Sequence, residues 1–326
     1  MSRTFTIIFI VLLGAYSPAF GQAEPYLLAE TEQFRYQSNF WINMHHFLFQ
    51  KAKGLKRARN ITEKEQELID LLKGKDLKIY QQSLNYYTEQ VIDKNHLFDE
   101  GFTKVKNYLG VFSGKRLPKK DIPDKALFKV LNDFSRTYEK VFWPLHDATN
   151  RDRFNEHVDL LKNIEPKVLK ELYRLTQNSL PKEKTLVDIS AFANWAGAYT
   201  TNDPQHIILS STRLNTLGTT WIEMVFHEAS HGLVFNRSGL IGGTIRKKST
   251  AMNRELPESL WHAVLFYLTG KVTANVLEGM GKPGHEMYMF RNGVFRQYHE
   301  VLNLYMPAYM DGTDSFEAVV EKILNH

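Results

Sequence analysis

The chain has 326 residues, of which 43% are hydrophobic and 24% are charged, and its formal net charge is +5. These proportions are typical of a globular protein and exclude a disordered or fibrous chain. Basic residues are scattered apart from short clusters such as 51–59 and 246–248. No nucleic-acid-binding motif accompanies those clusters, so we expect no nucleic acid among the partners.

The N-terminus has the pattern of a secretory signal peptide, "MSRTFTIIFIVLLGAYSPAFGQA". Arg3 precedes an apolar segment over residues 5–15, and the small residues Ala19 and Gly21 follow with the spacing of a cleavage site. The apolar segment is short for a membrane span. We therefore predict a signal peptide over residues 1–21, with cleavage after Gly21 or up to two residues later. An uncleaved N-terminal anchor is the alternative.

The chain contains no cysteine, which excludes disulfides and lipid attachment through cysteine. Secreted eukaryotic proteins of this size usually carry disulfides, so the composition favours a bacterial exported protein, in the periplasm or outside the cell. No later segment is long and apolar enough to cross a bilayer, and we expect no membrane span after signal cleavage.

Residues 22–180 are predicted to form a helical N-terminal region. From residue 25 to a stop at Gly54, apolar residues recur at three- and four-residue spacings. Thr62-x-x-Glu65 has the form of a capping box for the next helix, which ends at Gly74. Further amphipathic helices are predicted over about 76–92, 124–142, 150–162 and 165–178.

Residues 181–326 have a different pattern. "TLVDIS", "ANWAGAYT" and "HIILSS" predict three short strands, and a turn over 201–204 joins the last two. A capped helix follows, in which Thr220-x-x-Glu223 has the form of a second capping box. Further helices are predicted over 257–276 and from 285 to about 305. The predicted fold is α+β and predominantly α, a helical N-terminal half packed on a half with a small antiparallel sheet, with the cleft between them.

The segment "VFHEASHGLV", residues 225–234, carries two histidines and a glutamate at the spacing of a zinc site. On an α-helix, residues four apart are rotated by about 40° and lie about 6 Å apart along the axis, so His227 and His231 project from one face. A catalytic zinc ion binds such imidazoles and keeps one position for water. Glu228 is placed to take a proton from that water. We therefore predict one zinc ion per chain, with His227 and His231 as ligands and Glu228 as the general base; a solvated helix face is the alternative.

This H-E-x-x-H pattern, in a capped apolar helix directly after short strands, resembles the zincin superfamily of metallopeptidases. The resemblance covers about residues 186–270. It implies an edge strand that binds peptides, at 196–199 or 206–210, and a plain structural hairpin is the alternative. Val234 and Arg237 stand where the metzincin subgroup has glycine and histidine, and the Gly-x-Met-Glu-Asn stretch of the zinc aminopeptidases is absent. The chain therefore looks similar to the gluzincins, which take their third ligand from a separate downstream helix.

That downstream helix is identified as "LPESLWHAVLFYLTG", residues 256–270. The resemblance implies a glutamate ligand and favours Glu258, although an acid beside Pro257 also suits the first turn of any helix. His262 stands among apolar residues, where an imidazole needs a partner. We therefore predict His262 as the third ligand, with Glu258 as the alternative and Glu255 as a further one. Whichever of His262 and Glu258 does not bind the metal is expected to lie next to the ligands.

Other polar aromatic residues are candidates for supporting roles. His45 and His46 are adjacent and about 100° apart on a helix, so they do not easily bind one ion. We predict core or surface positions for them, with a cleft position for one as the alternative. Tyr288, Tyr298 and His299 are candidates to stabilise an oxyanion, and packing is the simpler interpretation of each.

The sequence thus predicts an exported zinc metallopeptidase that hydrolyses bonds in a peptide or protein substrate, with residues 181–326 as the catalytic region. One alternative is a zinc hydrolase that acts on a non-peptide amide. The other is a non-enzymatic helical protein with a structural metal site. A structural site is closed by four protein ligands, whereas water at the fourth position favours catalysis.

Overall fold

The structure, a computed structural model, describes residues 25–57, 63–120, 122–234, 239–257 and 259–326. The predicted signal peptide at 1–21 lies outside the described residues. The strands are β1 (Leu27–Glu30), β2 (Phe34–Gln37), β3 (Thr185–Ser190), β4 (Ala198–Thr201) and β5 (His206–Ser210). The helices are α1 (Phe40–Arg57), α2 (Glu63–Asp70), α3 (Gly74–Gln90), α4 (Glu100–Val111), α5 (Lys125–Val141), α6 (Trp143–Thr176), α7 (Thr219–Ser230), α8 (Leu240–Ala251), α9 (Leu260–Gly279), α10 (Tyr288–Arg291), α11 (His299–Met310) and α12 (Phe316–Asn325). None of the helices in this described part is both long and apolar enough to span a membrane.

The strands form one mixed sheet in the order β1-β2-β3-β5-β4. The three central strands are parallel to one another, whereas β1 and β4 run antiparallel to their neighbours at the two edges. The parallel pair β2–β3 needs a long crossover, which the segment containing α1 to α6 supplies. The fold is α+β and predominantly α, as predicted. The sheet is mixed rather than antiparallel, because β3 pairs in parallel with both β5 and β2, the latter from the N-terminal part.

Helices cover both faces of the sheet and divide the buried residues into two cores. Alternate residues of a strand point to opposite faces. In β5, Ile207 and Leu209 join the core formed with α6, α7 and α9, whereas Ile208 joins the core formed with α1, α3, α4 and α5. Burial on both faces explains the near-continuous apolar sequence of this strand.

Strands β1 and β2 correct the prediction of a single helix from residue 25 to Gly54. Phe34 and Tyr36 are fully buried, and their spacing of two residues suits a strand. Helix α1 begins only at Phe40, after Asn39. The side-chain oxygen of Asn39 accepts hydrogen bonds from the backbone N–H groups of Trp41 and Ile42, at 2.8 and 3.1 Å, and so caps the helix.

Helix α6 corrects the prediction of two helices over 150–162 and 165–178. It is continuous from Trp143 to Thr176 with Pro166 inside it. Its buried residues Leu161, Val168 and Leu172 pack in the same core as α7 and α9. The division into regions 22–180 and 181–326 stays a prediction. Elements on both sides of residue 180 contribute to the sheet and to this core.

The two glutamates predicted to cap helices instead lie in buried polar networks. Glu65 binds the Lys51 amine, and its other oxygen lies 2.9 Å from Nε2 of His146; Thr62 lies outside the described residues. Helix α7 begins at Thr219, so Glu223 lies beyond its first turn, where it is fully buried. A buried carboxylate is costly without partners, so long-range contacts determine both positions.

Candidate metal centre

Helix α7 holds the H-E-x-x-H residues against the sheet. Its apolar residues Trp221 and Val225 are almost fully buried beneath α6 and α9. His227 and Glu228 lie in its last turn, and His231 follows with helical backbone angles, φ −58° and ψ −29°. His227 and His231, four residues apart, therefore project from the same side as on a regular helix. The centroids of their rings lie 5.0 Å apart.

His262 completes a cluster of three histidines. It lies in the first turn of α9, and its Nε2 lies 3.3 Å from Nε2 of His227. One ring nitrogen from each of His227, His231 and His262 lies within 4.8 Å of the others. Two nitrogen ligands at about 2.0–2.1 Å from one tetrahedral ion stand about 3.3–3.4 Å apart, which agrees with the His227–His262 distance. The cluster can hold a metal ion and contains the predicted third ligand, whereas the alternative Glu258 lies outside the described residues.

The surroundings favour neutral imidazoles. Burial lowers the pKa of His227 well below its usual range, and positive charge on His231 or His262 lowers it further. Burial and the neighbouring His262 lower the pKa of His231 to about 3. The neutral imidazole is the form that binds a metal ion. The cluster is therefore suited to metal binding at neutral pH.

Glu228 lies next to the cluster and is held by the edge of the sheet. The hydroxyl of Thr200, on β4, lies 2.7 Å from Oε2 of Glu228 and 2.9 Å from its backbone oxygen. Burial raises the pKa of Glu228 to about 7, although the hydrogen bond from Thr200 lowers it. A carboxyl group that titrates near neutrality can accept and release a proton under physiological conditions.

The cluster and Glu228 line a cleft of about 720 Å³. Strand β4 lines one wall, and it is the last strand of the sheet. Of the two segments predicted to form an edge strand, 196–199 overlaps β4, which lies at the edge over 198–201, while 206–210 is the interior strand β5. That β4 binds peptides stays a prediction, with a plain structural hairpin as the alternative. Most other lining side chains are apolar or aromatic; they include Phe98, Trp195, Met224, Val234, Trp261, Phe266, Val294 and Phe295.

Of the three residues predicted as oxyanion candidates, Tyr288 lines this cleft and Tyr298 and His299 do not. The Tyr288 hydroxyl accepts a hydrogen bond from Nδ2 of Asn215 at 3.2 Å. Burial raises the pKa of Tyr288 above its usual value, so the hydroxyl keeps its proton at neutral pH. Tyr288 therefore offers the cleft a hydrogen-bond donor.

Glu223 and His285 hold Tyr288 in the cleft wall. The sequence predicted Glu223 only as a helix cap and gave His285 no role. Oε2 of Glu223 accepts hydrogen bonds from Nε2 of His285 and from the backbone N–H of Tyr288, each at 2.8 Å. Nδ1 of His285 pairs in turn with the hydroxyl of Thr219 at 2.8 Å. The spacing in the sequence could have indicated a role for Glu223, because it precedes His227 by four residues and so lies on the same buried face of the helix.

His45 and His46 are core residues, as predicted. Both are fully buried on α1, and neither lines the cleft. Nδ1 of His45 lies 2.7 Å from the hydroxyl of Tyr87, and Nε2 of His46 lies 2.8 Å from the hydroxyl of Tyr199. Because Tyr199 belongs to β4, His46 helps to fix the strand that carries Thr200 on the other side of the sheet.

Comparison with known proteins gives no relative. Neither a protein family model, nor a curated protein, nor a solved structure matches this chain. The function is therefore inferred from the residues of the cleft and from the geometry that brings them together.

Proposed function

We propose that this protein is an exported zinc-dependent metallopeptidase that hydrolyses bonds in a peptide or protein substrate. The observation that carries the proposal is the convergence of His227, His231 and His262 beside Glu228 in an open cleft. Three protein ligands leave one position of a tetrahedral zinc ion for water, as in catalytic sites. Support for export comes from the sequence pattern of residues 1–21.

The donor set favours zinc. Three neutral imidazoles suit zinc, whereas magnesium and calcium prefer carboxylate, carbonyl and water oxygens. When bound, zinc supplies Lewis acidity, which polarises a substrate carbonyl and makes water more acidic. His227, His231 and His262 hold the ion, so we expect one zinc ion per chain.

Glu228 supplies the base. Thr200 occupies its Oε2 at 2.7 Å, so Oε1 remains to accept the proton of the attacking water and to deliver it to the leaving amine. The hydroxyl of Tyr288 lines the same cleft and is a donor for the substrate oxygen as it becomes negatively charged. Glu223 and His285 act through Tyr288 by fixing its backbone and position.

The edge strand favours a peptide over a non-peptide amide. β4 pairs with β5 on one side, and no strand of the described residues pairs with its other side. An extended peptide can add to such an edge through backbone hydrogen bonds, and pockets for alternate side chains give specificity. Aromatic side chains such as Trp195 and Trp261 lie along the cleft to contact the substrate.

The proposal predicts that peptide hydrolysis depends on the bound metal. Purified protein starting at Gln22 is treated with a chelator, and one equivalent of zinc is then added back. Cleavage of a mixed peptide library is measured by mass spectrometry before the chelator, after it and after the addition of zinc. We expect cleavage to disappear with the metal and to return with zinc. Cleavage by metal-free protein, or its absence from protein that carries one zinc ion per chain, contradicts the proposal.

A further inference from the structure

We propose that Arg213 binds a carboxylate group of the substrate, so that the preferred substrates are peptides with an apolar side chain and a carboxylate close to the scissile bond. This inference rests on the proposed function and specifies its substrate class. Arg213 lines the same cleft as the three histidines and Glu228. It follows β5, in the loop that leads to α7.

The guanidinium of Arg213 is held in place by its neighbours. Its Nε donates a hydrogen bond to Oδ1 of Asn215 at 3.0 Å. Its stem lies over Gly197, where an added Cβ would stand 2.9 Å from Cγ of Arg213. Gly197 also has φ +90°, a conformation that side chains other than glycine rarely adopt. The backbone at Gly197 thus leaves room for the Arg213 side chain and fixes its position.

No carboxylate neutralises Arg213 among the residues that the structure describes. Among the described residues, the guanidinium group of Arg213 makes one hydrogen bond, through Nε, and it takes part in none of their ion pairs. Along the described lining of the cleft, Arg213 is the one lysine or arginine and Glu228 is the one acid. The two outer guanidinium nitrogens remain to form the paired hydrogen bonds with which arginine binds a carboxylate.

Arg213 is connected to the metal cluster by a short series of contacts. Asn215 binds Arg213 through Oδ1 and donates through Nδ2 to the hydroxyl of Tyr288 at 3.2 Å. Phe266 stacks on the ring of Tyr288 at 5.9 Å and on that of His227 at 3.4 Å between centroids. Because Arg213 and the three histidines also line one cleft, we expect a single bound peptide to contact both.

The rest of the cleft selects apolar side chains. Trp195 and Phe98 are 62% and 78% exposed, which is unusual for large aromatic residues outside a binding site. Trp261, Phe266 and Phe295 add further aromatic surface, beside polar lining residues such as Asn202 and Asn292. A cleft that combines apolar surface with placed polar groups is typical of a site for a small ligand or a short peptide.

The test compares two probes that differ only in the C-terminal group, the dipeptide N-acetyl-Phe-Phe with a free carboxylate and the same dipeptide with a neutral carboxamide. Binding is measured by calorimetry on zinc-loaded protein that carries Glu228→Gln, so that neither probe is consumed. Charge-assisted paired hydrogen bonds are about twice as strong as neutral ones, so we expect the carboxylate to bind at least about tenfold more tightly than the amide. We expect Arg213→Gln to remove most of this preference while leaving the affinity for the amide within about twofold.

Arg246→Gln is the matched control, because Arg246 is an exposed arginine that lines the neighbouring cavity beside His262 and Trp261 rather than this cleft. We expect it to keep the full preference. The inference is overturned if the two probes bind with equal affinity, if neither probe binds, or if the preference survives Arg213→Gln. In the last case the carboxylate would be bound at the metal. If the preference depends on Arg213 but the wild-type protein cleaves no peptide, the peptidase proposal fails and the carboxylate site stands.

Discussion

Replacing Glu228 by glutamine is expected to reduce peptide hydrolysis by at least about 10²–10⁴-fold, the usual contribution of a positioned general base. Glutamine keeps the size of the side chain and a carbonyl oxygen that can accept the hydrogen bond from Thr200, which lies 2.7 Å from Oε2. It removes the basicity that takes the proton from water. Because Glu228 does not belong to the histidine cluster, the zinc content and the melting temperature should stay close to those of the wild type.

The comparison needs three proteins side by side: the wild type, Glu228→Gln and Glu278→Gln. Glu278 is an exposed glutamate in the last turn of α9, the helix that also carries His262, so its replacement controls for the loss of one carboxylate. Zinc stoichiometry, melting temperature and kcat/KM for one cleaved peptide are measured on each. A Glu228→Gln variant that cleaves as fast as the wild type excludes Glu228 as the base.

Replacing His231 by alanine is expected to remove nearly all bound zinc. Two imidazoles would remain, and a zinc site in proteins needs three or four protein ligands. Binding to the native state alone stabilises a protein by about 4 kcal/mol at a ligand concentration of 1,000 times Kd. Added zinc should therefore raise the melting temperature of metal-free wild-type protein and leave that of His231→Ala unchanged.

The control for this prediction is His326→Ala, since His326 is exposed at the C-terminus and its ring lies edge-on to that of Tyr305, at 6.1 Å between centroids. It should bind zinc and respond to it as the wild type does. Zinc content near one per chain in His231→Ala would show that the ion lies elsewhere, or that His231 is not a ligand.

The sequence allowed the centre of the site to be predicted, because the relevant geometry is local. His227 and His231 meet through the pitch of one helix, and Glu228 follows from the same segment. His262 could be proposed because an imidazole among apolar residues needs a partner, but its distance of 3.3 Å from His227 depends on how α7 and α9 pack.

Contacts between distant segments could not be predicted. Asp188 of β3 is fully buried, and its Oδ2 lies 2.6 Å from Nε2 of His206 and 3.0 Å from Nε2 of Gln37. Burial raises the pKa of Asp188 to about 8, against the effect of the Gln37 hydrogen bond and of Lys106. Nothing in a single segment indicates that α4, β2, β3 and β5 supply these four side chains to one place.

The dependence on contacts between distant segments also explains the errors in the predicted fold. The segment that holds β1 and β2 is adjacent to α1, and apolar residues at mixed spacings fit a helix as well as a strand when their partners are unknown. Phe34 and Tyr36 become strand residues because residues 185–188 pair with 34–37, about 150 positions later in the chain. Glu223 was assigned to a cap for a similar reason, since His285 and Tyr288 are far from it in sequence.

The position and ligands of the zinc ion can be observed by X-ray diffraction from crystals grown with zinc, with data collected on both sides of the zinc absorption edge. The account predicts one anomalous peak per chain in the cleft, at about 2.0–2.1 Å from a ring nitrogen of each of His227, His231 and His262, with a water molecule as the remaining ligand. No peak at this cluster, or an ion closed by a fourth protein ligand such as Glu258, would contradict a catalytic zinc centre in this protein.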